Sequence, residues 1–520
     1  MSVFCKLSLS LLSRSYRFRK SAKCLSRGIN ISRRVIPLRF VENNADIKDT
    51  LAKKDVSDAE WQNIRDKCLQ IQDVTPFTVD TIIIDMCMKH SVLDSAIAYF
   101  KFLRQNNYAL NAAVIGKYLR IYSFKGNLDD LEKAEILQTY HDLRKKYPVL
   151  DAFTTEHCIA SLCCTDQWKE AFEMLEMLKI TQKPSGTIYS VLAAAAFKNR
   201  EPDIAWRTLS QISHTQVPRN NIYTSYLSYC KQEGKEAFNK NMLKMFDFWS
   251  EHNIRIHNKI IQAYADVASE YGWVGKPTTI SKTGICKHCG HSLSKIVIRQ
   301  DAFQKLANSV ANKLIIGSDI YHNTDPEEFR NFRQFVEKTK PYDIVIDGLN
   351  LTYISKNSPG MVYSLLDVIN YFSRNNKKIL IVTRKHQKKW PVLQQIQAYA
   401  SVFYIDNLSE DDPYILYATM ASGINAMFVS SDLLRQHKHS FKKLNLYQEF
   451  HHWQCSHQYS LIKFNKSIRI QKPFVYLPSA QKNDDHWHIP YVADDCTMTN
   501  FDFHEFPDKW YCLRQEKKYT

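Results

Sequence analysis

Glycine is scarce in this chain, with 13 residues in 520, or about 2.5% against a usual ~7%. Propellers, barrels and other hairpin-dense architectures lean on glycine at their tight turns and are excluded as the main fold. No GxGxxG and no GxxxxGK[ST] occurs, so neither a dinucleotide-binding turn nor a P-loop has support. No run of 18 apolar residues is present, and no segment reads as a membrane-spanning helix. The first 41 positions lack any acidic residue; Glu42 is the first. The 13 cysteines are odd in number and scattered, which fits reduced thiols and a metal site better than a disulfide framework.

What is present describes a folded, helix-rich, multidomain protein. Hydrophobic residues make up 44% and charged residues 24%, both ordinary for globular chains. The net charge is +17, but ten Lys or Arg lie within residues 1–40, which leaves +7 on the remaining 480. The body is mildly basic, and charge alone does not demand a nucleic-acid partner. In 1–40, Arg14, Arg17, Arg19, Lys20, Arg27, Arg33 and Arg34 sit among eight serines and scattered apolar residues. That is the pattern of a mitochondrial transit peptide, with delivery to the matrix. Residues 41–72 read as a linker.

From about residue 75 to 265 apolar residues recur at three-to-four spacing, in paired helices separated by short polar breaks. Ala171 and Ala205 are 34 apart, as are Pro184 and Pro218, while Ala96 and Ala134 mark second helices of earlier units. A helix pair of this period means a solenoid of tetratricopeptide or pentatricopeptide type. The proline-closed ends and EAFEML-like second helices resemble pentatricopeptide repeats. Such repeats read single-stranded RNA with a few side chains each; a protein-binding solenoid is the alternative.

Residues 284–293 read GICKHCGHSL. Cys-x-x-Cys followed by glycine turns two thiolates toward one zinc ion, which assigns Cys286 and Cys289. His291 is a crowded third candidate. A structural site takes four ligands, and the C-terminal tail offers His486, His488, Cys496, His504 and Cys512.

Between these halves the texture changes. Short β-branched runs at 343–347, 378–383, 402–405 and 426–430 alternate with helical stretches at 361–375, 391–399, 413–422 and 432–438. Alternation of this kind implies a parallel sheet with helices on both faces, whose ligands gather at the carboxyl ends of the strands. Asp347, Asp411, Asp412 and Asp432 fall at those ends, with Asn350 beside the first. Carboxylates collected at one edge repel unless a hard cation, Mg²⁺ or Mn²⁺, neutralises them. Each also has a structural use: Asp412 before Pro413 makes a good helix N-cap, Asp432 can cap the next helix, and Asp347-Gly348 can be a turn. Arg384, Lys385, Lys388 and Lys389 come after a strand, where they either hold RNA backbone or form a solvated loop.

IVIDGLN, SEDDPYILYA, SSDLLRQH, the CKHCG knuckle and the WHIP…WYC tail occur together behind helical repeats. In combination they resemble the protein-only ribonuclease P family in its animal mitochondrial form. The resemblance implies a pentatricopeptide-repeat superhelix over 73–265, a zinc-stapled central domain split between 266–300 and 475–520, and an NYN (PIN-like) α/β metallonuclease domain over 301–474. It implies an endoribonuclease that removes the 5′ leader of precursor tRNA, leaving 5′-phosphate on the tRNA and 3′-hydroxyl on the leader. On this resemblance Asp347, Asp411, Asp412 and Asp432 bind catalytic Mg²⁺ or Mn²⁺, and His437 is the active-site histidine. The zinc ligands become Cys286, Cys289, His488 and Cys512, with Cys496 as a rival to the last. The expected partners are a tRNA methyltransferase and a short-chain dehydrogenase-like subunit. Other readings are a non-catalytic repeat scaffold and an endonuclease acting on other RNA.

Overall fold

The computed structural model describes residues 44–53, 55–212, 218–314, 326–353, 362–406, 411–434, 437–438, 440–441, 444–464, 467–495 and 506–516. The expected transit segment, Cys496 and His504 lie outside these residues. The chain divides into two compact units, Met1–Gln211 and Ile212–Thr520.

The first unit is helical: α1 (Ala45–Leu51), α2 (Asp58–Leu69), α3 (Val79–Lys89), α4 (Leu93–Gln105), α5 (Ala112–Lys125), α6 (Asp130–Lys146), α7 (Ala152–Leu162), α8 (Ala171–Thr181), α9 (Gly186–Lys198) and α10 (Pro202–Leu209). Polar starts set several of them. Ser57 with Glu60, and Asp129 with Glu132, form reciprocal capping boxes at α2 and α6, which satisfy amide groups that a helix start otherwise leaves open. Asn111 and Asp151 cap α5 and α7. Apolar stripes face inward, as with Tyr118, Leu119, Ile121 and Tyr122 of α5. A Cβ at Gly116 would stand 2.9 Å from the Thr154 methyl, so α5 and α7 meet at a contact that has no room for a side chain.

The stretch read as a linker, 41–72, contains α1 and α2. Trp61, Ile64 and Cys68 of α2 are buried. Arg65 Nε donates to Asp80 Oδ1 over 3.0 Å, and the Tyr99 hydroxyl donates to the same oxygen over 2.6 Å. A buried ion pair that shares a third donor fastens α2 to α3 and α4. Capping and the apolar spacing of Trp61, Ile64 and Cys68 are the physical reasons this stretch is helical.

The second unit begins with α11 (Asn220–Gln232), α12 (Lys235–Glu251) and α13 (Asn258–Glu270). They adjoin a small sheet of β1 (Ile256–His257) and β2 (Trp273–Thr278) with strands from far along the chain: β9 (Gln481–Asn483), β10 (His486–Val492) and β11 (Lys509–Gln515). Its order is β1-β10-β11-β2, with β9 on the side of β10.

Between β2 and β9 the chain builds an α/β layer. Its elements are α14 (Gln300–Ser309), α15 (Pro326–Thr339), β3 (Ile344–Asp347), α16 (Gly348–Tyr353), α17 (Val362–Ser373), β4 (Ile379–Arg384), α18 (Pro391–Ile396), β5 (Ser401–Ile405), α19 (Asp412–Ala421), β6 (Met427–Val429), α20 (Tyr447–His457), β7 (Gln458–Phe464) and β8 (Ser467–Gln471). The strand order is β5-β4-β3-β6-β7-β8, parallel throughout except for the β7–β8 hairpin. Every residue of β3 and β4 is buried, as expected for strands covered on both faces. Alternate residues divide between two cores. Val345, Leu380 and Val382 pack with Phe332, Tyr414 and Trp453. Ile344, Ile346, Ile379 and Ile381 pack with Ile369, Phe372 and Leu393. The helix expected over 432–438 does not begin at Asp432: Leu434 has φ 50°, and the Asp432 carboxylate takes the Leu434 N–H over 2.7 Å, a turn that competes with helix.

Candidate metal centres

The first centre stands at the carboxyl edge of the parallel sheet. Asp347 closes β3 and is 1% exposed. Gly348 comes next because nothing larger fits: a Cβ there would lie 2.8 Å from Thr383 Cβ and 3.0 Å from the Val382 carbonyl oxygen. Both oxygens of the Asp347 carboxylate accept hydrogen bonds. Oδ1 accepts the Asn350 N–H over 2.9 Å, while Oδ2 accepts from Asn350 Nδ2 over 2.7 Å and from the Ser430 hydroxyl over 3.0 Å. Burial first, then the charge of Asp411 and, less strongly, that of Asp412, push its pKa up to about 8, against the lowering effect of Asn350. Three aspartates thus meet electrostatically, as expected of carboxylates gathered at strand ends.

Asp411 is the N-cap residue of α19, with Asp412 in the first turn and Pro413 behind it. The Asp411 side chain makes no cap hydrogen bond, so it is not spent on the helix start. Burial raises Asp411 above its ordinary value, Arg384 opposes this, and Asp412 adds to it. His437 Nε2 stands 3.6 Å from Asp412 Oδ2. Asp432 joins differently. It is exposed, and its backbone N–H donates to the same Ser430 hydroxyl over 3.0 Å.

The basic run after β4 is divided in use. Arg384 is 7% exposed, donates to the Asp406 carbonyl over 2.6 Å and pairs with Asp411 at 3.3 Å. Lys385 pairs with Asp406 at 2.8 Å. Lys385, Lys388 and Lys389 are all exposed, and Lys388 and Lys389, which Asp406 does not engage, are the two with the solvent access that holding RNA backbone requires. Glu328 of α15 is a further residue of this edge: its carboxylate accepts the Asp406 N–H over 2.6 Å and the Tyr414 hydroxyl over 3.1 Å. Ser430 and Glu328 carry no sequence signal of their own, because their partners lie 83 and 78 positions away.

The second centre is the knuckle. Cys286, Cys289, His488 and Cys512 bring their ligand atoms within 4.8 Å of one another. Gly290, at φ 76°, returns its N–H to the Cys286 carbonyl over 2.9 Å, a tight turn that aims both thiols inward. His488 and Cys512 face each other across the β10–β11 register. Cys289 Sγ lies 3.3 Å from His488 Nε2, and Cys512 Sγ 3.8 Å from it. Burial, then His486 and His291, hold His488 down at about 4, which keeps it a neutral ligand. Burial raises Cys286, but backbone N–H groups of Cys289 and His288 and the Thr278 hydroxyl bring its thiol net below the usual value. Three thiols and one imidazole, all buried except the half-buried Cys289, fit a structural zinc ion.

Residues 280–512 match the family model described as protein-only RNase P. The chain carries a protein-only RNase P domain. It runs from Ile280, ahead of the knuckle, to Cys512, and it contains every aspartate of the sheet edge. Beyond it, the chain is 27% identical over 478 residues to the mitochondrial ribonuclease P catalytic subunit of Mus musculus, covering 90% of this chain and 80% of the mouse protein. Proteinaceous RNase P 2 of Arabidopsis thaliana is 24% identical over 249 residues, covering 43% of this chain and 46% of that protein. The crystal structure of the nuclear proteinaceous RNase P 2 from A. thaliana aligns over 85% of this chain and all of that chain, with a TM-score of 0.48 and 15% identity. Among the described residues no helix is long and apolar enough to cross a membrane.

Proposed function

We propose that this protein is a metal-dependent endoribonuclease that removes the 5′ leader of mitochondrial precursor tRNA by hydrolysis. The observation that carries the reading is the match of 280–512 to the protein-only RNase P family, with four aspartates at one sheet edge inside it. The products are a 5′-phosphate on the tRNA and a 3′-hydroxyl on the leader.

Asp347, Asp411, Asp412 and Asp432 are the residues that would hold Mg²⁺ or Mn²⁺. The raised pKa of Asp347 supports this, because charges that resist ionising together call for a cation. When bound, the ion neutralises phosphate charge and makes water a stronger nucleophile. The chain's own residues do the rest. Asn350 and Ser430 fix both oxygens of Asp347, so the carboxylate does not reorganise when substrate arrives. His437, against Asp412, holds a water or a phosphate oxygen in line. Exposed Lys388 and Lys389 attract RNA backbone.

The helical part is read as pentatricopeptide repeats that grip folded tRNA by shape and stacking, and the α/β layer as an NYN nuclease domain. Zn²⁺ at Cys286, Cys289, His488 and Cys512 staples the central sheet. The protein acts in mitochondria, in the matrix, alongside a tRNA methyltransferase and a short-chain dehydrogenase-like subunit.

The test is cleavage of a 5′-labelled mitochondrial precursor tRNA in Mg²⁺ by wild type and Asp412→Asn, each alone and with the two partners. A cut at the mature 5′ end that the substitution abolishes is expected. Precursor tRNA that stays bound but uncut by wild type with both partners present would leave a binding scaffold instead.

A further inference from the structure

Beside the four-ligand knuckle lies a second group that shares one of its thiols and adds two histidines the staple does not use. Cys289, His291 and His486 bring one potential ligand atom each within 4.8 Å of one another. The rings of His291 and His486 lie 4.6 Å apart at their centroids, tilted by 34°. Each of these histidines buries its Nδ1 with no hydrogen-bond partner. Two neighbouring imidazoles with buried, unpartnered nitrogens are a costly arrangement unless something accepts their lone pairs.

The local chain geometry explains how they meet. His291 comes directly after the Gly290 turn, and the Cys286 N–H donates to the His291 carbonyl over 2.9 Å, so the knuckle fixes its backbone. His486 opens β10 two residues before His488, and the two-residue period of a strand puts both on one face. Asp484 lies in the turn before β10 at φ 53°, with Oδ2 3.5 Å from His291 Nε2. A carboxylate on Nε2 selects the tautomer whose lone pair is on Nδ1, as carboxylates behind metal-bound histidines do.

We propose that a second zinc-type divalent ion binds here, held by His291 Nδ1, His486 Nδ1 and the Cys289 thiolate, which it shares with the first zinc. Asp484 is the positioning residue, and water completes the coordination. Nitrogen and sulfur donors at this spacing favour Zn²⁺ over Mg²⁺. Charge points the same way. Three thiolates and one neutral imidazole around Zn²⁺ leave one net negative charge, which attracts a second cation. With Asp484 at its rim, the two-ion cluster is neutral. One side of the site is open, since His291 and Asp484 are partly exposed, so the second ion exchanges more readily than the first.

The test counts zinc on the full chain. Excess Mg²⁺ and the Asp347→Asn background keep the sheet-edge carboxylates from contributing. Wild-type ligands at the knuckle are expected to retain two zinc ions per chain after dialysis against metal-free buffer, and one after a mild chelator. His291→Ala and His486→Ala should each lose the labile ion and keep the tight one, whose retention shows that the fold survives. Asp484→Asn should weaken the labile site about tenfold. Co²⁺ replacement adds a second readout, with a distinct spectrum for the nitrogen-rich site that vanishes in the two histidine variants. A single ion at saturating zinc, or a second ion unaffected when both histidines are replaced, would overturn the proposal.

Discussion

The Ser430 hydroxyl donates to Asp347 Oδ2 over 3.0 Å and in turn accepts the Asp432 N–H over 3.0 Å. One hydroxyl therefore joins the ends of β3 and β6, and with them two aspartates that are 85 positions apart in sequence. Ser430→Ala removes the donor and leaves Asp347 one bond short, a loss of about 1–1.5 kcal/mol. The expected result is a roughly tenfold slower single-turnover cleavage at low Mg²⁺, largely recovered at high Mg²⁺. A rate unchanged across a Mg²⁺ series would deny Ser430 this role.

Asp347, pushed up to about 8 by burial and by Asp411 and Asp412, makes the sheet edge sensitive to pH. An unfolded aspartate titrates near ~3.9, so between that value and about 8 the folded chain holds the extra proton. Metal-free stability should therefore fall as pH rises through this window. Mg²⁺ must displace the proton, so its apparent affinity should rise with pH, by at most about tenfold per unit, and level off above about pH 8. Thermal melts at several pH values with and without Mg²⁺ read both trends. Asp347→Asn should flatten them, and curves that stay parallel in the variant would refute the assignment.

Gly348→Ala drives a methyl against Thr383 and the Val382 carbonyl. Because one contact is backbone, relief requires β3 and β4 to separate, at a cost of about 1–3 kcal/mol. Cleavage should fall by more than the loss of folded protein explains, since Asp347 moves with its neighbour. Urea titration paired with cleavage per folded molecule measures this.

Removing zinc should open the sheet of β2, β10 and β11 while the parallel sheet persists. Cys512→Ser or His488→Ala leaves three ligands and should lower the melting temperature as strongly as a chelator does. The two treatments should not add. Hydrogen exchange of the β10–β11 amides, which pair His486 through Tyr491 with Arg514 through Lys509, should rise before that of β3 and β4. Equal loosening of both sheets would refute the staple.

How much of this is legible in sequence depends on the kind of signal. Helix pairs from α3 to α12 announce themselves because each carries a local apolar stripe, and β3 to β6 because each is a short β-branched run. The region around α20 and β7 hides instead. Gln454, His457 and Gln458 are buried there, although their letters suggest a surface. His457 Nε2 bonds the Ile424 carbonyl over 2.7 Å, and Gln458 Nε2 donates to the Ser430 carbonyl over 2.8 Å. Buried polar residues satisfied by distant backbone leave no periodic trace. Arg384 misleads for a related reason, since its partner Asp411 comes 27 positions later. The knuckle cysteines are local and readable, whereas the choice among His486, His488 and Cys512 depends on a strand register that only the folded sheet defines.

The pairing of β11 with β2 sets an order of assembly during synthesis. Cys286 and Cys289 leave the ribosome early, and all strands of the parallel sheet emerge before Cys512 does. The α/β layer is therefore synthesised while the knuckle is still half-built, with two thiols waiting for their partners. Until β11 arrives, those thiols are open to oxidation or to the wrong metal, and the interval lasts as long as translation of more than two hundred codons.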